Sequence, residues 1–264
     1  PLEEMSVTTP CLGAAAARRS TEELPPSLRG ALNFIRALPS LPCTSLGECR
    51  PFLPPQRPEA DGRPFRPTLV LDLDETLVHC HRPDSRGGSR SASSSAALAS
   101  RPADLIVQFD DTPSFGHVHF RPFVHFFLKV ASKAFELVVF TASQQSYADK
   151  VIDALDPAGA LVSHRLYRQH CTELRGAFFK ELPLLGRPMS QCILVDNSPI
   201  SVACNADHGV LCRSWYGGRQ DQELMELLAI LQDVRSQGGD VSRILARRYG
   251  LHDFFQALRE DAGR

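Results

Sequence analysis

Three short apolar runs along the chain each stop at a polar or acidic residue. Thr68-Leu69-Val70-Leu71 leads into Asp72-Leu73-Asp74, Glu136-Leu137-Val138-Val139-Phe140 into Thr141, and Gln191-Cys192-Ile193-Leu194-Val195 into Asp196. Unbroken apolar runs of this length predict strands buried on both faces, the usual case in a parallel sheet. Val162 to Tyr167 and Val210 to Cys212 predict two more strands. Helical stripes lie between them: Phe123 to Lys133 behind Arg121-Pro122, Gln144 to Leu155, and Gln220 to Val234 with Leu224, Leu227, Leu228 and Leu231 on one face. Asp240 to Tyr249 predicts the last helix. Strands alternating with helices predict an α/β fold, a Rossmann-like central parallel sheet flanked by helices. Leu105 to Phe109 and Gly116 to Phe120 alternate weakly around Asp110-Asp111-Thr112-Pro113 and predict a small β-hairpin inserted after the first strand.

The flanks read differently. Residues 1–65 are proline-rich and predict a largely extended or disordered arm, because proline removes backbone donors and resists both helix and central strand. One short helix is expected near Leu28 to Leu38, docked on the domain. The folded domain is expected over 66–256, with a tail at 257–264. Residues 85–102 are too rich in serine and alanine to bury a core and predict a flexible spacer.

Composition narrows the class. The chain has 264 residues, 43% hydrophobic and 22% charged, which suits one sizeable soluble domain with extensions. A net charge of −1 gives no overall field toward nucleic acid or acidic membrane. No stretch approaches the roughly 18 apolar residues of a membrane helix. The chain begins at Pro1 and its first methionine is Met5, as in a piece of a longer protein. None of its eight cysteines forms Cys-x-x-Cys, which argues against structural zinc and for a reducing, intracellular setting.

The ends of the apolar runs carry the chemistry. Strand alternation sends Asp72 and Asp74 to the same side, and ligands in open α/β sheets sit at the carboxyl ends of strands. Asp72, Asp74, Thr141 and Asp196 therefore converge on one sheet edge. A strand ending in an acidic turn would account for Asp-x-Asp alone, a helix cap for Ser143, and an Asx turn for Asn197-Ser198-Pro199. Three acids at one edge need positive charge, and a hard divalent cation such as Mg2+ suits oxygen ligands together with a substrate phosphate.

The string Asp72-Leu73-Asp74-Glu75-Thr76-Leu77-Val78-His79 resembles the first motif of the haloacid-dehalogenase superfamily. More narrowly, it is similar to the phosphatases acting on the C-terminal domain of RNA polymerase II, in their small-phosphatase and Dullard branch. Arg121-Pro122 with Phe127-Leu128, Phe140-Thr141-Ala142-Ser143 with Tyr147-Ala148-Asp149, Lys180 followed by Leu185-Gly186-Arg187, Asp196-Asn197-Ser198-Pro199 and Ser214-Trp215-Tyr216 resemble its later motifs in order. Glu181 stands where the family carries aspartate, and the serine-rich insertion departs from the family's docking insertion. The resemblance implies a Rossmann-like fold without a large cap domain, and a Mg2+-dependent phosphoserine/phosphothreonine protein phosphatase. Asp72 would be the nucleophile and Asp74 the general acid and base. Thr76, Thr141 and Lys180 would hold phosphate, and Asp72, Asp74 (through its backbone carbonyl), Asp196 and Asn197 would hold the metal. It also implies a monomer, in the nucleus or cytoplasm, with the polymerase C-terminal domain or another phosphoprotein as substrate.

Two rivals stand beside this reading. His79-Cys80 with Arg86 has the spacing of cysteine phosphatases, but the residues between lack glycine and include proline, unlike a tight phosphate loop. A catalytically weak phosphoprotein-binding scaffold is the other, weighed against by the intact acids and Lys180.

Overall fold

The first apolar run forms a strand in which every residue is buried. It lies at the centre of the computed structural model, which describes residues 26–42, 50–56, 65–82, 101–110 and 114–260. In chain order the elements are α1 (Pro26–Arg36), β1 (Thr68–Leu71), β2 (Val78–His81), β3 (Leu105–Gln108), β4 (Phe115–Phe120), α2 (Val124–Ala131), β5 (Glu136–Phe140), α3 (Gln145–Leu155), β6 (His164–Leu166), β7 (Thr172–Leu174), β8 (Ala177–Phe179), β9 (Cys192–Asp196), α4 (Pro199–Ala203), β10 (Gly209–Leu211), α5 (Glu223–Gln237), α6 (Val241–Tyr249) and α7 (Leu251–Glu260).

The main sheet runs β10-β9-β1-β5-β6 with every pair parallel. Its three central strands are the three apolar runs, buried from end to end. Leu71 is in register with Val139 on one side and Val195 on the other. The next residue of each strand, Asp72, Phe140 and Asp196, therefore emerges side by side at the carboxyl edge. Helices flank the sheet through the predicted stripes: α2 buries Val124, Phe127, Leu128 and Ala131, and α5 buries Leu224, Leu227, Leu228 and Leu231. Each fully buried leucine of this kind contributes about 2–3 kcal/mol.

The expected hairpin is present as β3–β4, and β2 joins it to make an antiparallel sheet in the order β2-β4-β3. Period-two alternation sorts its side chains. Val78, Val107 and Val118 are buried in the core, whereas His79, His81, His117 and His119 share the other face, with His79 opposite His119 and His81 opposite His117. Both ring nitrogens of His119 and Nδ1 of His81 are buried without a hydrogen-bond partner among the described residues. Most of the serine-rich insertion (83–100) and the hairpin tip (111–113) lie outside the described residues.

The N-terminal segment follows the expected helix. Leu32 and Ile35, one turn apart on α1, are fully buried, and α1 packs on α4 and α7. Residues 50–56 run along the domain although rich in proline, because their carbonyls and non-proline amides find partners there. Phe52 N–H donates to the Leu184 carbonyl at 2.8 Å, and Arg187 reaches the Pro54 carbonyl at 2.8 Å. Gly186 has φ +71° and lies so close to Pro51 that a Cβ would sit 2.5 Å from its ring. Only glycine fits there. The same Arg187 forks onto Glu136 at 2.8 and 2.9 Å. At the other end, α7 continues past Tyr249 and 256 to Glu260 with Leu258 buried, so residues 257–260 belong to a packed helix where the sequence suggests a tail. Gly250, at φ +59°, separates α6 from it.

Arg121 ties the small sheet to the main one. It is 1% exposed, donates through Nε and Nη2 to both oxygens of Asp221 at 2.7 and 2.9 Å, and through Nη1 to the Thr76 carbonyl at 3.0 Å. One guanidinium thus joins the end of β4, the turn after β1 and the approach to α5.

Two outcomes follow from these contacts. Arg121→Met strands the Asp221 carboxylate and the Thr76 carbonyl, and is expected to cost about 3 kcal/mol, the scale of breaking a buried charge pair, read from the urea midpoint at constant m-value. The second concerns pH. Burial pushes His119 down from 6.5 to about 4, with His81 and Arg101 adding to the shift and Asp104 opposing it. The unfolded chain then takes up this proton before the folded one does, so stability falls as pH drops from about 6.5 toward 4. His119→Phe keeps a ring and removes the titration. The slope of unfolding free energy against pH in that window should flatten, and an unchanged slope would assign the acid sensitivity elsewhere.

Candidate active site

Asp72 leaves β1 at the sheet edge and its N–H still donates to the Val195 carbonyl at 3.0 Å, so the ladder holds its backbone. Asp196 closes β9 and is 1% exposed. Between them stands Lys180, also 1% exposed, with Nζ 2.6 Å from Asp72 Oδ1 and 2.7 Å from Asp196 Oδ2. The other oxygens are occupied too. Thr76 Oγ1 donates to Asp72 Oδ2 at 3.0 Å, and the Ser198 N–H donates to Asp196 Oδ1 at 2.7 Å. Lys180 is delivered by the segment after β8, where Asn205 Nδ2 donates to its carbonyl at 2.6 Å and Asn205 Oδ1 accepts from Leu182 N–H at 3.1 Å.

Asp74 sits in a different seat. Ser143 Oγ donates to one of its oxygens at 2.6 Å and Tyr147 OH to the other at 2.7 Å. The turn that swings Asp74 away from Asp72 places Glu75 at φ +59°, a left-handed conformation that costs a non-glycine residue about 1–2 kcal/mol. It is held by Glu75 N–H to the Val78 carbonyl at 2.7 Å, Trp215 N–H to the Glu75 carbonyl at 2.8 Å, and the Arg121 bond to Thr76.

Electrostatics follow from burial. Desolvation pushes Asp72 up to about 7 despite the pull of Lys180, and Asp196 adds to the rise. Burial also raises Asp74, against its bonds to Ser143 and Tyr147. Lys180 is held above its usual value: burial alone would lower it, but Asp196 and Asp72 outweigh that. Three carboxylates around one ammonium leave an excess of negative charge, and the donor set is oxygen. That combination fits a hard divalent cation. Among the described residues no three acidic, histidine or cysteine side chains already form a cage. Asp72 and Asp196 share the Lys180 ammonium, while the Asp74 side chain turns to Ser143 and Tyr147.

The expected site residues fall into place unevenly. Asp72, Asp74, Thr141, Lys180, Asp196 and Asn197 gather at the sheet edge. Thr141 Oγ1 accepts from Ser143 N–H at 3.0 Å, which leaves its proton for a ligand. Asn197 Nδ2 donates to Ser214 Oγ at 2.9 Å. Thr76, expected among the phosphate holders, is fully buried with its hydroxyl spent on Asp72. It braces the carboxylate from behind. Ser143, which sequence suggests as a helix cap, serves Asp74, and the residue capping α3 is Gln144 without a side-chain bond. Sequence reading passed over Tyr147, which stands in the first turn of α3 just past Ser143, as a partner of Asp74. It also missed Asn205 and Asp221, which no local pattern marks. Cys80 lies inside β2, paired with β4, and burial pushes its thiol up to about 11. Arg86 lies outside the described residues.

The profile of the NLI interacting factor-like phosphatase family matches residues 67–242. CTD small phosphatase-like protein 3 of Caenorhabditis elegans is 37% identical over 199 residues, which take in 74% of this chain and 65% of that protein, just under two thirds of its length. CTD nuclear envelope phosphatase 1B of Danio rerio is 38% identical over 194 residues, 71% of this chain and 74% of that protein. The solved structure of Fcp1, an essential RNA polymerase II CTD phosphatase, aligns with TM-score 0.56 at 18% identity over 69% of this chain and 70% of that one, a likeness of fold. The sheet, the order of its motifs and these relatives agree: the chain belongs to the NLI interacting factor-like phosphatase family, with an Fcp1-like α/β domain.

Proposed function

We propose that the protein is a divalent-metal-dependent phosphoprotein phosphatase that works through an aspartyl-phosphate on Asp72. The observation that carries this reading is the division between the two aspartates: Asp72 bonded to Lys180 and Thr76, Asp74 to the hydroxyls of Ser143 and Tyr147. A carboxylate fixed by an ammonium suits a nucleophile. A raised carboxyl among neutral hydroxyls suits a proton donor. In the first step an Asp72 oxygen bonds to phosphorus as the serine or threonine oxygen leaves with a proton from Asp74. In the second, Asp74 takes a proton from water, which attacks phosphorus and releases phosphate and the Asp72 carboxylate. Thr141, Lys180 and the backbone N–H groups after Asp72 hold the phosphoryl oxygens. The Asp72 and Asp196 carboxylates and the Asp74 carbonyl, with Asn197 nearby, would hold Mg2+, whose charge offsets that of the phosphate.

The segment between Thr141 and Asp196 holds only α3, β6 to β8 and short turns, so a phosphoserine or phosphothreonine in a protein segment is the substrate class. The C-terminal domain of RNA polymerase II is one candidate, on the names the relatives carry. The same reading has the protein act as a monomer inside the cell, in nucleus or cytoplasm. No helix among the described residues is long and apolar enough to cross a membrane. The cysteine-phosphatase reading loses ground, because a thiol at about 11 inside a strand is not a thiolate at neutral pH.

Hydrolysis of an aryl phosphate should vanish with EDTA and return with Mg2+, while Cys80→Ser stays near wild type. Activity that survives EDTA and is lost in Cys80→Ser would reverse the chemistry, and no turnover under any condition would favour the scaffold. Asp72→Asn should form no acid-stable phosphoprotein. Asp74→Asn should lose about 10²- to 10⁴-fold on phosphoserine and less on an aryl phosphate with an acidic leaving group. Single-turnover kinetics with acid quench separate the two, and equal losses on both substrates would remove Asp74 from its role.

A further inference from the structure

The catalytic reading leaves one cluster of ligating side chains unused. Four of the chain's nine histidines stand on one face of the β2–β4 pair. They form two His-x-His pairs on neighbouring antiparallel strands, in register. His81 is their common neighbour: its ring centre lies 5.2 Å from His119, 5.4 Å from His117 and 6.4 Å from His79. An ion that holds two imidazoles tetrahedrally, at bonds of about 2.0–2.1 Å, sets their ring centres roughly 5 Å apart.

Hydrogen bonding does not explain this grouping. Among the described residues His119 is fully buried with both ring nitrogens unpartnered, and Nδ1 of His81 is buried and unpartnered as well. A neutral imidazole carries one donor and one acceptor, and each left unpaired costs about 1–3 kcal/mol. Phenylalanine would fill the same space without that cost. Of the four, His79 has an acid partner, its Nδ1 lying 3.1 Å from Glu75. Around His119 the charged neighbours are Arg101 and Asp104, and Asp104 Oδ2 is already taken by Arg101 and the Phe120 N–H.

We propose that His81, His117 and His119 form a second metal site, for a borderline divalent transition ion of the Zn2+ class, with His79 within reach as a fourth ring. Imidazole nitrogen selects such an ion over Mg2+, which takes oxygen, so this site and the carboxylate site do not compete. Cys80 points to the opposite face, toward Gly116 and Tyr147, and takes no part. In the arrangement seen His81 stacks on His119 and meets His117 edge to face, and no three donors among the described residues meet at one point. Rotation of the rings about χ2 would close the site without moving either strand, since strand register already sets their spacing. A bound ion would pin β2 to β4 next to the turn that carries Asp72 and Asp74. The inference does not depend on the phosphatase chemistry, because its readout is binding.

The test uses the full chain in excess Mg2+. Co2+ should give the visible bands of a tetrahedral nitrogen site without thiolate-to-cobalt charge transfer. Calorimetry with Zn2+ should show one strong equivalent. His81→Asn and His117→Asn, each checked for folding by circular dichroism, should each weaken binding by more than the roughly 10- to 100-fold that loss of an outer-shell partner costs. The exposed His125→Asn on α2 should leave it unchanged. Absence of binding in the wild type, thiolate bands with Co2+, or wild-type affinity in both His81→Asn and His117→Asn would each overturn the proposal.

Discussion

Burying three carboxylates at one sheet edge is the constraint that organises this molecule. Each ion taken from water costs several kcal/mol unless it is answered at once. The chain answers in three ways. Lys180 is driven into the core to bridge Asp72 and Asp196. Hydroxyls of Ser143 and Tyr147 satisfy Asp74 without bringing charge. The backbone N–H of Ser198 and the hydroxyl of Thr76 take the remaining oxygens. Thr76 and Ser198 serve their acids locally, whereas Lys180, Ser143 and Tyr147 reach theirs from other parts of the chain. The β8–β9 connection, α3 and the turn after β1 must all be in position together, so the active site and the fold are one structure.

The turn after β1 shows how much restraint this takes. Glu75 stands in a left-handed conformation that an L residue avoids. It persists because the Val78 carbonyl, the Trp215 N–H and Arg121 hold the neighbouring groups. These come from the turn itself, from the segment after β10 and from the end of β4. Local strain is offset by distant partners, as expected where geometry serves a reaction.

Much of this was legible in the sequence. The buried strands announced themselves because parallel strands covered on both faces read as unbroken apolar runs, and the acids announced themselves by ending those runs. Thr141, Lys180 and Asp196 came with their strands or motifs. The hidden features were contacts that cross the chain. Asn205 and Asp221 are ordinary polar residues in sequence and gain meaning only from what they touch. The resemblance implies a phosphate contact for Thr76, and the sequence does not show that the turn buries its hydroxyl against Asp72. The final helix, Leu251–Glu260, escaped because Gly250 reads as a helix stop, although Leu251, Phe255 and Leu258 form a buried stripe beyond it.

The position of α1 has a consequence for how the chain folds. It is among the first described segments to leave the ribosome, yet its seats on α4 and α7 lie more than 160 residues downstream. At about 5–20 residues per second, Leu32 and Ile35 have no surface to cover them for on the order of ten seconds or more. During that interval the apolar stripe of α1 is a sticky, half-formed helix, too short to be stable alone. The seat of α1 is therefore completed only once α4 and α7 have been made, and until then its apolar stripe needs other cover.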